Sequence, residues 1–225
     1  MIPLIHDRLP GVLVFDVNET LTDMSPLADR LTDVGLPGHA LPAWFAGVLR
    51  DGMALTLAGG RATFADVAGD GLRTLLARLA PAVDPEQAVS HVLDVFPRLP
   101  VRPDAVEGVR ALHAAGHRLL TLTNGSAAGT RAVLDRAGIA DCFEALLDVQ
   151  QAGAWKPAPA AYAHAVRTAG VPAAEAMLVA VHPWDIDGAA RAGLATAWVR
   201  REPGPYPSTM RPADVTAAGV AALAR

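Results

Sequence analysis

The sequence predicts an α/β fold: a doubly wound parallel sheet with helices on both faces, carrying a block of helices inserted after the first strand. Three observations predict it. Short apolar runs alternate with amphipathic stretches through the second half of the chain, the pattern of strand–helix–strand units. Gly116, Gly138, Gly170 and Gly193 each sit just past a helical run, where helices commonly end on a left-handed residue. The alternation stops between residues 25 and 98, where helical periodicity persists and no clear strand is seen.

Taken in order, the first strand spans residues 12–16 and delivers Asp16 straight into a turn. Helices are expected at 27–34, 42–57, 62–79 and 85–96. The last has a capped start, with Asp84 at the cap, Pro85 in the first turn and Gln87 at the third position. The sheet resumes near "VRPDAVEGV", with strands at 118–123, 145–149, 177–181 and 196–199 and helices at 105–115, 127–137 and 158–169 between them. The expected domains are an α/β core, residues 1–22 with 100–225, and a helical cap, residues 23–99.

Composition narrows the partners. The chain has 225 residues, 52% hydrophobic and 19% charged, enough to bury a real core. Nineteen Lys and Arg against 23 Asp and Glu give a net charge of -4, and no basic stripe with interleaved aromatics appears, so no nucleic-acid partner is expected. Cys142 is the only cysteine and cannot form an internal disulfide, which suits a reducing, cytoplasmic setting. The start "MIPLIHDRLPGVLVF" lacks the basic and long apolar regions of a signal peptide. No apolar run approaches the roughly 18 residues of a membrane span, so no membrane partner is expected. Self-association as a homodimer is compatible with the composition.

In a doubly wound sheet, ligands sit beyond the carboxyl ends of the strands, and four segments place polar groups there. These are Asp16, the pair Thr123–Asn124, Lys156 after the third strand, and His182 with Asp185 after the fourth. A carboxylate beside a lysine ammonium stays ionised and oriented, as a carboxylate nucleophile requires. Other features read as structural. His113 and His117 are separated by Gly116 and lack a third ligand for zinc. Gly59–Gly60 lacks the lysine of a phosphate-binding loop and marks a bend. Trp44, Phe45, Val48 and Leu49 form cap core or the apolar wall of a pocket, and Asp187 is a solvated or capping acid.

The stretches "FDVNETL", "LLTLTNGS", "WKPAPAAY" and "VHPWDIDGAARAG" together resemble the haloacid dehalogenase (HAD) superfamily of hydrolases, and within it the 2-haloacid dehalogenases with a helical cap. The resemblance spans nearly the whole chain. It implies Asp16 as a nucleophile forming an ester, Thr20 as its hydrogen-bond partner, and Lys156 as its charge partner. It implies Thr123 and Asn124 as holders of the nucleophile and of a substrate carboxylate, Tyr162 as the accompanying tyrosine, and Asp185 as the group that positions or activates water. Phosphatases of the superfamily carry a second acid two residues after the nucleophile, where this chain has Asn18. That acid protonates a leaving oxygen, which a halide does not need. They also carry an acid near Ala180 that helps hold magnesium. No cofactor is therefore expected, magnesium entering only if the chain is a phosphatase.

The same comparison shows departures. The dehalogenases carry a substrate-gripping arginine after a cap tryptophan, where Trp44 is followed by Phe45. Ala180 replaces a serine and His182 an asparagine. Arg50 or Arg61 is the candidate for the missing cation. The expectation is a hydrolase that dehalogenates a small 2-haloacid through an aspartyl ester, with Asn18, Trp44, Phe45 and His182 in the substrate shell. The alternatives are a phosphatase or a hydrolase of another small electrophile on the same core, or a catalytically degenerate binding protein.

Overall fold

The computed structural model describes residues 9–224. Residues 1–8, which hold most of the stretch read as lacking a signal peptide, lie outside the described residues, as does Arg225. Six parallel strands form one sheet in the order β3-β2-β1-β4-β5-β6. They are β1 (Val12–Phe15), β2 (Arg118–Thr123), β3 (Phe143–Asp148), β4 (Ala176–Ala180), β5 (Ala195–Val199) and β6 (Val215–Ala217). The chain builds outward from β1 to β3 on one side, then crosses back to place β4 on the other side of β1. The strand order therefore reverses at β1, and a doubly wound sheet opens a crevice at such a point.

Period-two alternation splits the core between the sheet's two faces. Val12 and Val14 pack with Leu120, Leu122 and Leu178 against α7 (Pro159–Ala169) and α8 (Pro183–Arg191). Leu13 and Phe15 pack with Met177 and Val179 against α5 (Pro103–Ala114) and the last turn at Val220–Ala224. All four residues of β1 are at most 2% exposed, and each such apolar side chain contributes about 1.5–3 kcal/mol on burial. A strand this deep holds its C-terminal residue in a fixed place.

Between β1 and β2 lie α1 (Pro26–Asp33), α2 (Leu41–Leu57), α3 (Phe64–Leu79), α4 (Pro85–Leu93) and then α5, and no strand of the sheet among the described residues. Helix α3 starts on a capping box between Thr63 and Asp66, and α4 on Asp84, whose carboxylate accepts from the N–H groups of Glu86 and Gln87. The helix expected to run to residue 96 stops at Leu93, and a short 3-10 turn follows at Phe96–Arg98. Pro97 has no N–H to return to Leu93 O, so the α-helical ladder cannot run on through it. The remaining helix is α6 (Ala127–Arg136).

The four glycines read as helix stops all adopt positive φ, between 65° and 90°. Two further expectations need correcting. The third strand begins at Phe143, two residues before its expected start, because Phe143 pairs with Leu119 across a register shift in β2. Strand β6 was not expected; it is three residues long and forms only by pairing with β5. No described helix is long and apolar enough to cross a membrane.

Candidate active site

Strand β1 hands Asp16 to a tight turn in which Val17 O accepts from the N–H groups of Leu21 (2.9 Å) and Thr22 (3.1 Å). Asp16 N–H continues the ladder to Val179 O at 3.0 Å, so the backbone is fixed on both sides of the carboxylate. Thr20 Oγ1 accepts from Val181 N–H (3.1 Å) and donates to Asp16 Oδ2 at 2.6 Å. Arg201, just past β5, closes the turn from outside: it donates to Thr20 O at 2.7 Å and pairs with Asp104.

Lys156 reaches the same carboxylate from the loop after β3. Its ammonium is fully buried and donates to Asp16 Oδ1 at 2.8 Å and to Asp185 Oδ2 at 2.6 Å. Asn124, at the end of β2, clamps the lysine backbone: its Oδ1 accepts from Lys156 N–H (2.9 Å) and its Nδ2 donates to Lys156 O (3.4 Å). The neighbouring Trp155 is inserted among the helices between β1 and β2. Its indole donates to Ala62 O, stacks on Phe64, and lies where a Cβ on Gly52 would sit 2.3 Å from the ring. The lysine loop is thus tied to the helical segment as well as to the sheet.

Asp185, in the first turn of α8, has both oxygens engaged: Lys156 holds one, and Tyr162 donates to the other at 2.6 Å. Burial disfavours ionisation of both acids, but they end on opposite sides. For Asp16 the ammonium of Lys156 and the imidazole of His182 outweigh burial and hold it well below the usual carboxylate range. For Asp185 burial, helped by the charge of Asp16, outweighs Lys156 and pushes it up. Tyr162 is pushed far above its ordinary value by burial and by Asp185, so it remains a hydrogen-bond donor.

His182 stands on the other side of Asp16. Its Nδ1 lies 3.3 Å from Asp16 Oδ2 and its Nε2 lies 2.7 Å from Glu19 Oε2. The imidazole stacks on Trp184 with ring centroids 5.1 Å apart. Burial opposes its charge, but the bonds to Asp16 and Glu19 prevail and hold it at about 9. Asp16 therefore faces two cations, one on each oxygen.

A cavity of about 480 Å³ adjoins this cluster. Asn18 and Thr123 line it, together with Phe64 at the start of α3, Phe96 and Pro97 in the 3-10 turn, and the first turn of α6. None of its lining residues among the described ones carries a charge. Thr123 also accepts from Gly125 N–H, which shapes the turn into α6.

The structure thus brings Asp16, Thr20, Asn124, Lys156, Tyr162, His182 and Asp185 together, and sets Asn18 and Thr123 on the cavity beside them. It does not bring Trp44, Phe45 or Arg50 there. Trp44 donates to Ala68 O inside the helical segment, and Phe45 packs behind Phe64. Arg50 pairs with Asp51, with 75% of its side chain exposed. Five residues along a helix rotate a side chain by about 140°, so with Phe45 turned inward Arg50 lies on the solvent face. Arg61 is exposed and rests its guanidinium against Gly153. Two contributors were not singled out from sequence as site residues. Glu19 sits inside the quoted first motif, and its signal was an extra acid immediately before Thr20. Trp155 precedes Lys156, and its signal was an aromatic in a Gly- and Pro-rich loop.

The family description "haloacid dehalogenase-like hydrolase" matches residues 11–193. The chain is 30% identical to the (S)-2-haloacid dehalogenase of Xanthobacter autotrophicus over 192 residues, 84% of this chain and 74% of that one. It is 32% identical to haloacetate dehalogenase H-2 of Moraxella sp. (strain B) over 116 residues, so the alignment spans about half of each, 52%. In three dimensions it is similar to the crystal structure of an L-2-haloacid dehalogenase, with a TM-score of 0.88 and 28% identity over 96% of this chain and 98% of that one.

Proposed function

The chain belongs to the haloacid dehalogenase-like hydrolases, and from that premise we propose that it hydrolyses the carbon–halogen bond of 2-haloacids with Asp16 as nucleophile and an aspartyl ester as intermediate. The observation that carries this reading is the buried ammonium of Lys156 bridging Asp16 and Asp185 at the carboxyl end of β1. It keeps Asp16 ionised out of water, where a carboxylate is a far better nucleophile than in solution. Thr20 fixes the rotation of the carboxylate, and Asn124 and Asp185 fix Lys156. Asn18 is an amide and not an acid, so it cannot protonate a leaving oxygen, which a departing halide does not require. Residues 23–99 act as a cap: Phe64, Phe96 and Pro97 from that segment supply the apolar wall of the cavity. The cavity contains no cation among the described residues; the start of α6 offers the substrate carboxylate the positive end of a helix. The apolar wall favours 2-haloacids with a hydrocarbon substituent over haloacetate.

Halide release from a panel of 2-haloacids, run beside phosphate esters with and without magnesium, tests the reading. Halide release from at least one haloacid, and no magnesium-stimulated phosphate release, is expected; the reverse outcome makes the chain a phosphatase.

Magnesium does not fit this site. The gap between Asp16 and Asp185 is filled by the Lys156 ammonium, both oxygens of Asp185 are engaged, and Ala180 offers no ligand where the phosphatases have an acid. Activity is therefore expected to be unchanged by EDTA, and a rate that collapses on chelation and recovers with magnesium would contradict this.

Arg50→Ala is expected to leave KM and kcat unchanged, because Arg50 lies on the solvent face. A rise in KM in that variant alone would show that α2 turns Arg50 inward when substrate binds.

A further inference from the structure

Resting on the Asp16 ester proposed above, we infer that His182, held by Glu19, is the general base that activates water to hydrolyse that ester, and that Asp185 is not. Three geometric observations support it. The imidazole places Nδ1 3.3 Å from Asp16 Oδ2, within one water's reach of the ester carbonyl carbon, while Nε2 is anchored 2.7 Å from Glu19. Glu19 adopts φ 65°, the left-handed region, unusual for a non-glycine residue. Backbone strain of this kind persists where the surroundings impose it; here the turn aims the carboxylate at His182. Both Asp185 oxygens already accept a hydrogen bond, one from Lys156 and one from Tyr162, and the residue is 0% exposed, so no water reaches it from solvent. The His182 side chain retains 15% exposure and the Glu19 side chain 42%, which gives water and protons a path.

The charges support the same cycle. His182 faces Asp16 from the end of β1, Glu19 from the following turn and the Trp184 ring from α8, with Lys156 on the far oxygen of Asp16. In the resting enzyme both acids keep the imidazole protonated, at about 9 despite burial. Attack of Asp16 on the carbon that carries the halogen forms the C–O bond, expels halide and removes the charge on Asp16. The imidazolium loses a partner, its pKa falls, and it releases its Nδ1 proton to solvent, while Nε2–H stays donated to Glu19. Water then adds to the Asp16 carbonyl carbon as Nδ1 takes its proton. When the bond from that carbon to the substrate oxygen breaks, His182 returns this proton to the departing alkoxide. Asp16, left as the acid, gives its own proton back to His182, which restores the starting ion pair. The sum is haloacid plus water to hydroxyacid, halide and one proton.

The test is a rapid-quench single turnover with (S)-2-chloropropionate, following chloride release and the mass of the Asp16 peptide, in wild type, His182→Ala, Glu19→Gln and Asp185→Asn. In His182→Ala one chloride per enzyme is expected, with the Asp16 ester accumulating because its hydrolysis is slower by about 10²–10⁴-fold, the usual worth of a general base. Glu19→Gln, a partly exposed position that leaves the core untouched, should accumulate ester to a smaller degree. Asp185→Asn should slow ester formation, because Lys156 is loosened, without ester build-up. Wild-type ester hydrolysis in both His182→Ala and Glu19→Gln, or ester build-up in Asp185→Asn alone, overturns this inference and leaves the function standing. No adduct on Asp16 in any protein, wild type included, overturns both.

Discussion

Asp16→Asn is expected to abolish dehalogenation, lowering kcat by roughly 10⁴-fold or more, the scale seen when an enzyme loses its nucleophile, with the fold retained. The amide is nearly isosteric: its Oδ1 can still accept from Lys156, while its Nδ2 becomes a donor toward Thr20 Oγ1 and the Nδ1 of a neutral His182, so the ladder bond to Val179 and the turn behind it stay in place. What is lost is a charge-bearing oxygen aimed along a fixed line. Holding a nucleophile in that way accounts for roughly 7–11 kcal/mol of a barrier in favourable cases. The covalent reading makes a sharper demand of the wild-type enzyme. In a single turnover in heavy-oxygen water the first product takes its new oxygen from Asp16, and the solvent label enters the Asp16 peptide. Label found directly in that first product, with Asp16 unmarked, would mean that Asp16 activates water instead of forming an ester.

Much of the cluster behind that prediction was legible in the sequence because it is written at strand ends. A doubly wound sheet gathers its strand termini at one edge, so Asp16, Thr123–Asn124 and Asp185 could be placed together without knowing any distance. Helix ends were legible for a local reason: Asp84, Gly116 and Gly170 act within one turn of themselves. The unread parts depend on distant partners or on rotation about an axis. Glu19 acquires a role only through His182, 163 residues away, and Trp155 through Gly52 and Ala62. Arg50 was spaced well along the chain, but the angular position of α2 puts it on the solvent side. Strand β6 has too few residues to carry a pattern and exists because β5 offers an edge.

Lys156→Met is expected to destabilise the protein by about 3–5 kcal/mol at neutral pH, the usual cost of removing one partner from a buried ion pair, and to reduce kcat by roughly 10³-fold, the upper scale for loss of one preorganised electrostatic partner. Methionine matches the stem of lysine, so packing against the surroundings is largely kept and charge is the main change. In the wild type the ammonium serves two acids that are 4% and 0% exposed. Without it these carboxylates face each other out of water, and both pKa values must rise. The pH dependence follows in sign. In the wild type Asp16 sits below its unfolded value, so its contribution is present above a pH of about 4 and is lost only as pH falls through its low folded value. In the variant the folded carboxylates bind protons more tightly than the unfolded chain does, so the penalty grows as pH rises from about 4 through their raised folded values. The stability gap between the two proteins should therefore be large at neutral pH and shrink on acidification, as read by urea unfolding at several pH values. His182 does not confuse this comparison: its contribution, present below about 6.5 and lost as pH rises through about 9, stays in both proteins and largely cancels in the difference. Lys156→Arg should not rescue activity, because a forked guanidinium cannot occupy the space of a fully buried ammonium set between two carboxylates. A gap that stays constant from acidic to neutral pH would mean that Lys156 supports this site by packing and not by its charge.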